Sequence, residues 1–257
     1  MLESNYFEGG QPRIIAHRGL FMHRDGISEN TLESFQEALS NGATHLETDV
    51  QATSDGHAVL FHDFDLSRVS SSSSSVGKLT LAELQLIKLK RGGRVPTLAE
   101  ILIALPGAKL NLDIKSEQAI SATVAAIEQQ QAHHRILITS FSNSRRIATL
   151  AGLSKPVLSS GSAMTVLRVW FSHYVFFGIG LGRQLRGLSA LQIPVSKGPL
   201  RFDGKSFIAR VSSLGLEVHY WTINDANQMR KLIELGAHGI VTDRVDLVPK
   251  EFLREDC

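Results

Sequence analysis

Two carboxylates stand two residues apart, Glu47 and Asp49, in the run HLETDVQ at 45–51. In a strand, alternation sends both to one face and Leu46, Thr48 and Val50 to the other. The run KLNLDIK at 109–115 repeats the device, with Leu110, Leu112 and Ile114 on one face and Asn111, Asp113 and Lys115 on the other. Like charges held this close repel, so an acid must take up a proton or find a cation. With Asp113 as a third acid, a divalent ion is the simplest neutraliser, and carboxylates with water suit a hard ion such as Mg²⁺ or Ca²⁺. The competing reading is an ion-pair layer in which Arg18 and Lys115 neutralise the acids. The only cysteine is Cys257, so a thiolate metal cluster and an intrachain disulfide are excluded. His17 and His62 complete the set. An imidazole with a pKa near about 6.5 can lend or take a proton at neutral pH, which suits a general acid and a general base. His45, His57, His133, His134, His219 and His238 read as surface or strand-packing residues.

These side chains need strands to carry them. RIIAH at 13–17 reads as a strand ending in His17-Arg18-Gly19. NTLE at 30–33 predicts a helix start with Asn30 as N-cap and Glu33 closing a capping box. Asp55-Gly56 turns the chain into AVLF at 58–61, which delivers His62-Asp63. Further strand candidates are 135–140, 156–160, 188–193, 217–223 and 238–242, with helical patterns between most of them. EVHYWTI delivers Trp221 and then Asn224, and HGIVT delivers Thr242-Asp243. Repeated β–α units imply a parallel sheet with helices outside. In an α/β barrel, chemistry gathers at the carboxyl ends of the strands, where these polar residues fall. Nine strand candidates exceed the eight of a closed barrel, so one of them, at 58–61 or 156–160, is expected not to be a strand. An open doubly wound sheet is the architectural alternative, although no glycine-rich dinucleotide fingerprint or P-loop follows the first strand. Residues 64–108 break the alternation with a serine tract, Ser70–Ser75, and a basic run, and predict a small insertion with helices at 80–89 and 97–105; TLAE at 97–100 offers a second capping box.

The chain has 257 residues, 43% of them hydrophobic and 20% charged, which excludes a largely disordered protein. One domain spanning 1–257 is expected. A net charge of +2 gives no argument for nucleic-acid binding. The opening MLESNYFEGGQPR lacks the apolar core of an export signal, so a cytoplasmic setting is expected. The run VWFSHYVFFGIGLG at 169–182 is shorter than the roughly 18–20 residues of a spanning helix and is interrupted by Ser172 and His173. It reads as a packed outer helix or as an interfacial segment, the second giving peripheral membrane contact through 164–186, where Arg168, Arg183 and Arg186 flank the aromatics.

AHRG at 16–19, ENTLESF at 29–35, GATHLETDVQATSDGHAVLFHD at 42–63, LSR at 66–68, VPTLAEIL at 95–102, LDIK at 112–115, YWTIN at 220–224 and GIVTD at 239–243 resemble, in order and spacing, the glycerophosphodiester phosphodiesterase family. The resemblance covers nearly the whole chain. It implies a TIM (β/α)8 barrel with a small insertion after the second or third strand. It implies metal-dependent hydrolysis of a small-molecule phosphodiester to an alcohol and glycerol 3-phosphate. Carried over by position, Glu47, Asp49 and Asp113 would hold the metal, and His17 and His62 would be acid and base. Arg18 and Lys115 would hold phosphate oxygens, Glu29 would lie beside the metal and meet substrate hydroxyls, and Trp221 would line the pocket. Asp113 departs from the Glu of many members. LDIK and the apolar 169–182 resemble a lysophospholipase D-like branch, so cleavage of lysophospholipids to lysophosphatidic acid stands as the alternative. A catalytically inactive binding barrel stands as a third reading, opposed by the complete set of motif residues.

Overall fold

The computed structural model describes residues 4–253; Cys257 lies outside the described residues. Eleven strands are present among them: β1 (Arg13–His17), β2 (His45–Ala52), β3 (Ala58–Leu60), β4 (Leu110–Ile114), β5 (Ile136–Thr139), β6 (Leu158–Ser159), β7 (Ala190–Pro194), β8 (Ser196–Lys197), β9 (Leu200–Arg201), β10 (Glu217–Trp221) and β11 (Gly239–Thr242). Eight of them pair in parallel in the order β6-β5-β4-β2-β1-β11-β10-β7. A parallel bridge from Ser160 to Ala190 brings the two ends of that path together, so the sheet is a nearly closed barrel. The doubly wound alternative is thereby excluded.

All nine strand candidates are strands, against the expectation that 58–61 or 156–160 is not one; the ring still has eight because 58–61 lies outside it. The core of 58–61, β3, pairs antiparallel with β2 (Val50 opposite Leu60) and stands outside the ring, whereas 156–160 supplies the barrel strand β6. The physical reason is the Asp55-Gly56 turn, which is too short for the crossover a parallel neighbour needs. Residues 196–201 fold back as the β8–β9 hairpin beyond the end of β7.

The helices are α1 (Leu32–Ser40), α2 (Leu81–Gln85), α3 (Leu98–Ala104), α4 (Gln118–Gln129), α5 (Asn143–Gly152), α6 (Ala163–Tyr174), α7 (Leu181–Leu185), α8 (Lys205–Ser212) and α9 (Ala226–Glu234). The start of α1 corrects the sequence reading by one residue. Thr31 is the N-cap, and its hydroxyl and that of Ser34 cap each other's backbone N–H. Asn30 is thereby released for another task. At α3 the expected capping box is present, with Thr97 and Glu100 reciprocally bonded.

The main core lies between strands and helices, with Leu46, Leu112, Phe35, Phe207 and Tyr220 fully buried. Leu98, Ile101 and Leu102 of α3 belong to it, whereas Val59, Phe61, Leu66, Val76, Leu84, Leu89 and Val95 form a satellite core between β3 and α3. Within the serine tract, Ser70 is buried and its hydroxyl donates to the Leu66 carbonyl at 3.0 Å. A third cluster closes the barrel from below: Tyr6 packs with Leu137, Leu158 and Ala190, and Phe7 packs against them.

Candidate active site

β1 ends in a turn that only this sequence type allows. Gly19 has φ +84, and a Cβ there would lie 2.4 Å from the Ser34 hydroxyl, so the close approach of α1 to the turn demands glycine. Arg18 is itself left-handed at φ 59, a conformation uncommon for a non-glycine residue. It is held by Arg18 N–H donating to the Glu47 carbonyl and by Asn30 N–H donating to the Arg18 carbonyl, each at 2.9 Å.

β2 and β4 run side by side in parallel with Glu47 opposite Asn111 and Asp49 opposite Asp113. The carboxylates therefore meet on the inner face of the barrel as the alternation predicts. Lys115 Nζ bridges Asp49 (2.7 Å) and Asp113 (2.6 Å). Arg18 Nε lies 3.0 Å from Asp49 Oδ2 as an ion pair without hydrogen-bond alignment, and its NH1 donates to Glu29 at 3.1 Å. Asn30, freed from capping, accepts from Thr48 Oγ1 at 2.7 Å and donates to Asp49 at 3.3 Å.

The ion-pair layer thus exists, but it neutralises the acids unequally. Burial would raise the Asp49 carboxyl, yet Lys115 and Arg18 outweigh it and hold it below its ordinary value. Glu47 has only His17 Nε2 at 3.8 Å; burial, with Asp49 beside it, pushes it up to about 7. Burial likewise raises Asp113 despite Lys115. Glu47 Oε2 and Asp113 Oδ1 are buried without a hydrogen-bond partner. With the side chains as they stand, no three His, Cys, Asp or Glu among the described residues are grouped to hold a metal, because Lys115 sits between Asp49 and Asp113. The donor chemistry nonetheless fits a hard cation: two orphaned carboxylate oxygens face the same interior as a third carboxylate.

Each histidine is anchored through Nδ1 to a carboxylate. His17 donates to Asp243 Oδ1 at 2.7 Å, and Asp243 is itself fixed by Asn224 Nδ2 at 2.8 Å. His62 donates to Asp63 Oδ1 at 2.6 Å, and Asp63 accepts from Arg68 Nε at 2.6 Å. Arg68 continues to Glu29 through two bonds of 2.7 and 2.8 Å. Nε2 of each ring therefore carries no hydrogen bond, with His17 Nε2 standing 3.8 Å from Glu47 Oε2. Burial would lower the His17 imidazole, but Glu47 and the Asp243 bond outweigh it and raise it.

His17, Arg18, Glu47, Asp49, His62, Asp113, Lys115 and Trp221 all line one cavity of about 730 Å³. Glu29 does not. Its carboxylate is engaged by Arg18 and Arg68. Sequence reasoning missed Asn30, Asp63, Arg68, Asp243 and Asn224 as supports. Asn30 and Asn224 stand just before the caps of α1 and α9, Asp63 follows a strand-end histidine and Asp243 follows β11; Arg68 lies in the run LSR at 66–68. It also missed Phe141, whose ring meets Trp221 at 6.1 Å and Lys115 Nζ at 5.6 Å. The rest of the wall is apolar and includes Met164, Leu167, Leu200 and Phe202.

Residues 17–247 match the model of the glycerophosphoryl diester phosphodiesterase family. A probable glycerophosphodiester phosphodiesterase 2 of Mycobacterium tuberculosis is 34% identical over 251 residues, covering 94% of each chain. A lysophospholipase D of Rattus norvegicus is 28% identical, covering 90% of this chain and 84% of its own. Among solved structures, a phosphodiesterase of Oleispira antarctica in complex with the product sn-glycerol-3-phosphate is 26% identical with a TM-score of 0.69, covering 90% of this chain and 93% of that one. A glycerophosphodiester phosphodiesterase of Agrobacterium tumefaciens shares the fold at 20% identity with a TM-score of 0.73, covering 92% and 97%.

Proposed function

The chain belongs to the glycerophosphoryl diester phosphodiesterase family, and on that premise we propose that it hydrolyses glycerophosphodiesters to an alcohol and glycerol 3-phosphate with His17 and His62 as the proton-transfer pair. The observation that carries this reading is the pair of imidazoles, each anchored at Nδ1 by a carboxylate, on a cavity whose floor holds two cations. A phosphodiester anion entering the cavity meets Arg18 and Lys115, which offset charge on the non-bridging oxygens as the transition state forms. Glu47 and the Asp243 bond raise the His17 imidazole above its ordinary value, which suits it to serve as the acid that protonates the departing alkoxide from Nε2. His62 takes the proton of the nucleophile. Asp63 and Asp243 hold the rings in the tautomer with Nε2 toward the substrate. Trp221 and Phe141 close one side and limit water.

Glu47, Asp49 and Asp113 would hold Mg²⁺ or Ca²⁺. The support is the two orphaned carboxylate oxygens and the raised Glu47 and Asp113, which a cation would relieve. When bound, such an ion supplies charge stabilisation at the phosphoryl group.

A second reading, lysophospholipase D-type cleavage to lysophosphatidic acid, is favoured by the apolar wall of Met164, Leu167, Leu200 and Phe202. Each buried CH2 of an acyl chain contributes about 0.8 kcal/mol, so such a wall discriminates strongly. Peripheral membrane contact through 164–186 would accompany it. No helix among the described residues is long and apolar enough to cross a membrane.

Turnover of glycerophosphocholine and lysophosphatidylcholine, after EDTA and after readdition of Mg²⁺ or Ca²⁺, tests both readings. Activity lost with chelation and restored by the ion is expected. Undiminished turnover in EDTA would remove the metal proposal. A clear preference for glycerophosphocholine would remove the second reading.

A further inference from the structure

The segment 163–212 carries seven Lys and Arg residues against a single acid, Asp203, although the whole chain is only +2. All seven bases are exposed. Arg201 pairs with Asp203, while Arg168, Arg183, Arg186 and Arg210 have no acidic side-chain partner among the described residues. The same stretch exposes Phe171, Tyr174, Val175, Phe176, Phe177 and Ile179, with Phe177 85% and Ile179 78% accessible. Helix α6 buries Val166 and Val169 and therefore packs as an outer element. Beyond Tyr174 the chain turns outward: Phe177 is left-handed at φ 52, and Gly178 and Gly180 follow at φ 93 and 77. Buried packing would relieve such exposure, yet the turn holds two phenyl rings in water, with the Arg210 guanidinium against Gly178.

This ridge adjoins the rim of the cavity. Trp170 Nε1 donates to the Arg201 carbonyl of β9 at 2.7 Å, and Tyr174 stacks on Phe207 at the start of α8 with centroids 6.2 Å apart. Met164 and Leu167, on the first turns of the same helix, line the cavity with Leu200 and Phe202. One helix thus joins the apolar wall of the site to the exposed ridge.

A contiguous exposed apolar patch marks an interaction surface. Exposed aromatic rings in a cation-rich segment suit the boundary between acyl chains and anionic headgroups, where rings enter the interface and arginines meet phosphates. We propose that the end of α6, the turn at 175–180 and α7 form a surface that docks on an anionic lipid bilayer and sets the apolar wall of the cavity beside the lipid. The charge imbalance selects a negatively charged lipid surface over a neutral one. This deepens the membrane contact proposed with the second reading, and it does not require that the site cleave lysophospholipids.

Co-sedimentation with phosphatidylcholine vesicles, with and without phosphatidylglycerol, tests the proposal. Pelleting with the anionic vesicles, at least about tenfold over the neutral ones and weakened by salt, is expected. Two exposed-residue variants, Phe176→Ser/Phe177→Ser and Arg183→Glu/Arg186→Glu, should each lower vesicle binding about tenfold while turning over water-soluble glycerophosphocholine as the parent does. A His62→Ala protein should bind vesicles undiminished, which separates this result from the fate of the hydrolytic reading. No pelleting with anionic vesicles, or unchanged binding by both double variants, would overturn it. So would light scattering that shows a dimer dissolved by Phe176→Ser/Phe177→Ser, since a second copy would then cover the ridge.

Discussion

At the amino ends of the strands, Glu217 accepts from Arg13 Nε and NH2 (3.2 and 2.9 Å), His219 Nε2 (2.9 Å) and Gln11 Nε2 (3.2 Å). Arg13 in turn donates to the carbonyls of Phe7 and Gly9 at 2.6 and 2.8 Å. At the carboxyl ends, Glu47 is just as buried but keeps one oxygen unpartnered, with His17 no closer than 3.8 Å. The physical consequence is opposite in sign. Burial would raise Glu217, but His219 and Arg13 outweigh it and pull it down to about 2, whereas burial and Asp49 drive Glu47 up to about 7. One end of the barrel is a finished ion network that secures the fold. The other holds charge short of its partners, which leaves it able to take a cation or a charged substrate.

The comparison breaks most visibly at the histidines. His17→Ala or His62→Ala should lower kcat by about 10²–10⁴-fold while leaving the thermal midpoint nearly unchanged, because each removes a proton-transfer group from the unfinished end. Steady-state kinetics with circular dichroism checks this; full activity in both variants would remove the assignment.

The next effect concerns stability and differs in sign between the two ends. Glu217→Gln leaves Arg13 and His219 without their carboxylate and should destabilise by about 3 kcal/mol, with little effect on KM. The folded value of Glu217 lies below its ordinary 4.5, so its contribution is full above pH 4.5 and is lost as pH falls toward 2. The variant should lose that part of the acid slope. Glu47 is the converse. Its folded value lies above 4.5, so its contribution is full below pH 4.5 and is lost as pH rises through about 7. Metal-free Glu47→Gln should therefore be more stable than the parent at pH 8, by about 2 kcal/mol, while losing activation by the divalent ion. Urea unfolding at pH 3, 6 and 8 reads both. Equal responses of the two variants would erase the distinction.

The smallest effect lies behind the site. Arg68 joins Asp63 to Glu29, so Arg68→Gln should free the His62 ring and lower kcat about tenfold, with KM nearly constant. A change confined to KM would instead assign Arg68 to substrate binding.

Much of the fold and of the floor of the site was legible in the chain. Alternation placed Glu47, Asp49, Asp113 and Lys115 on one face, since a period of two is local to each strand. The HRG turn needed its glycine for a clash that the sequence hinted at only by type. Asn30 was misassigned because an Asn one residue before a Thr offers two plausible caps, and only the packing of Ser34 against Arg18 chose Thr31. Segment 58–61 is a strand despite the expectation against it, and its place off the ring depends on pairing with β2.

By itself the sequence determined which residues carry charge, which side of each strand they occupy and where the backbone must turn, because those follow from neighbours a few residues apart. Closure of the ring decided the rest. His17 meets Asp243 because β1 lies beside β11, and Trp221 meets Phe141 across the cavity mouth. Whether an acid ends fully paired, like Glu217, or short of partners, like Glu47, depends on side chains distant in the chain and on how much water the closed barrel expels. No local pattern encodes either quantity.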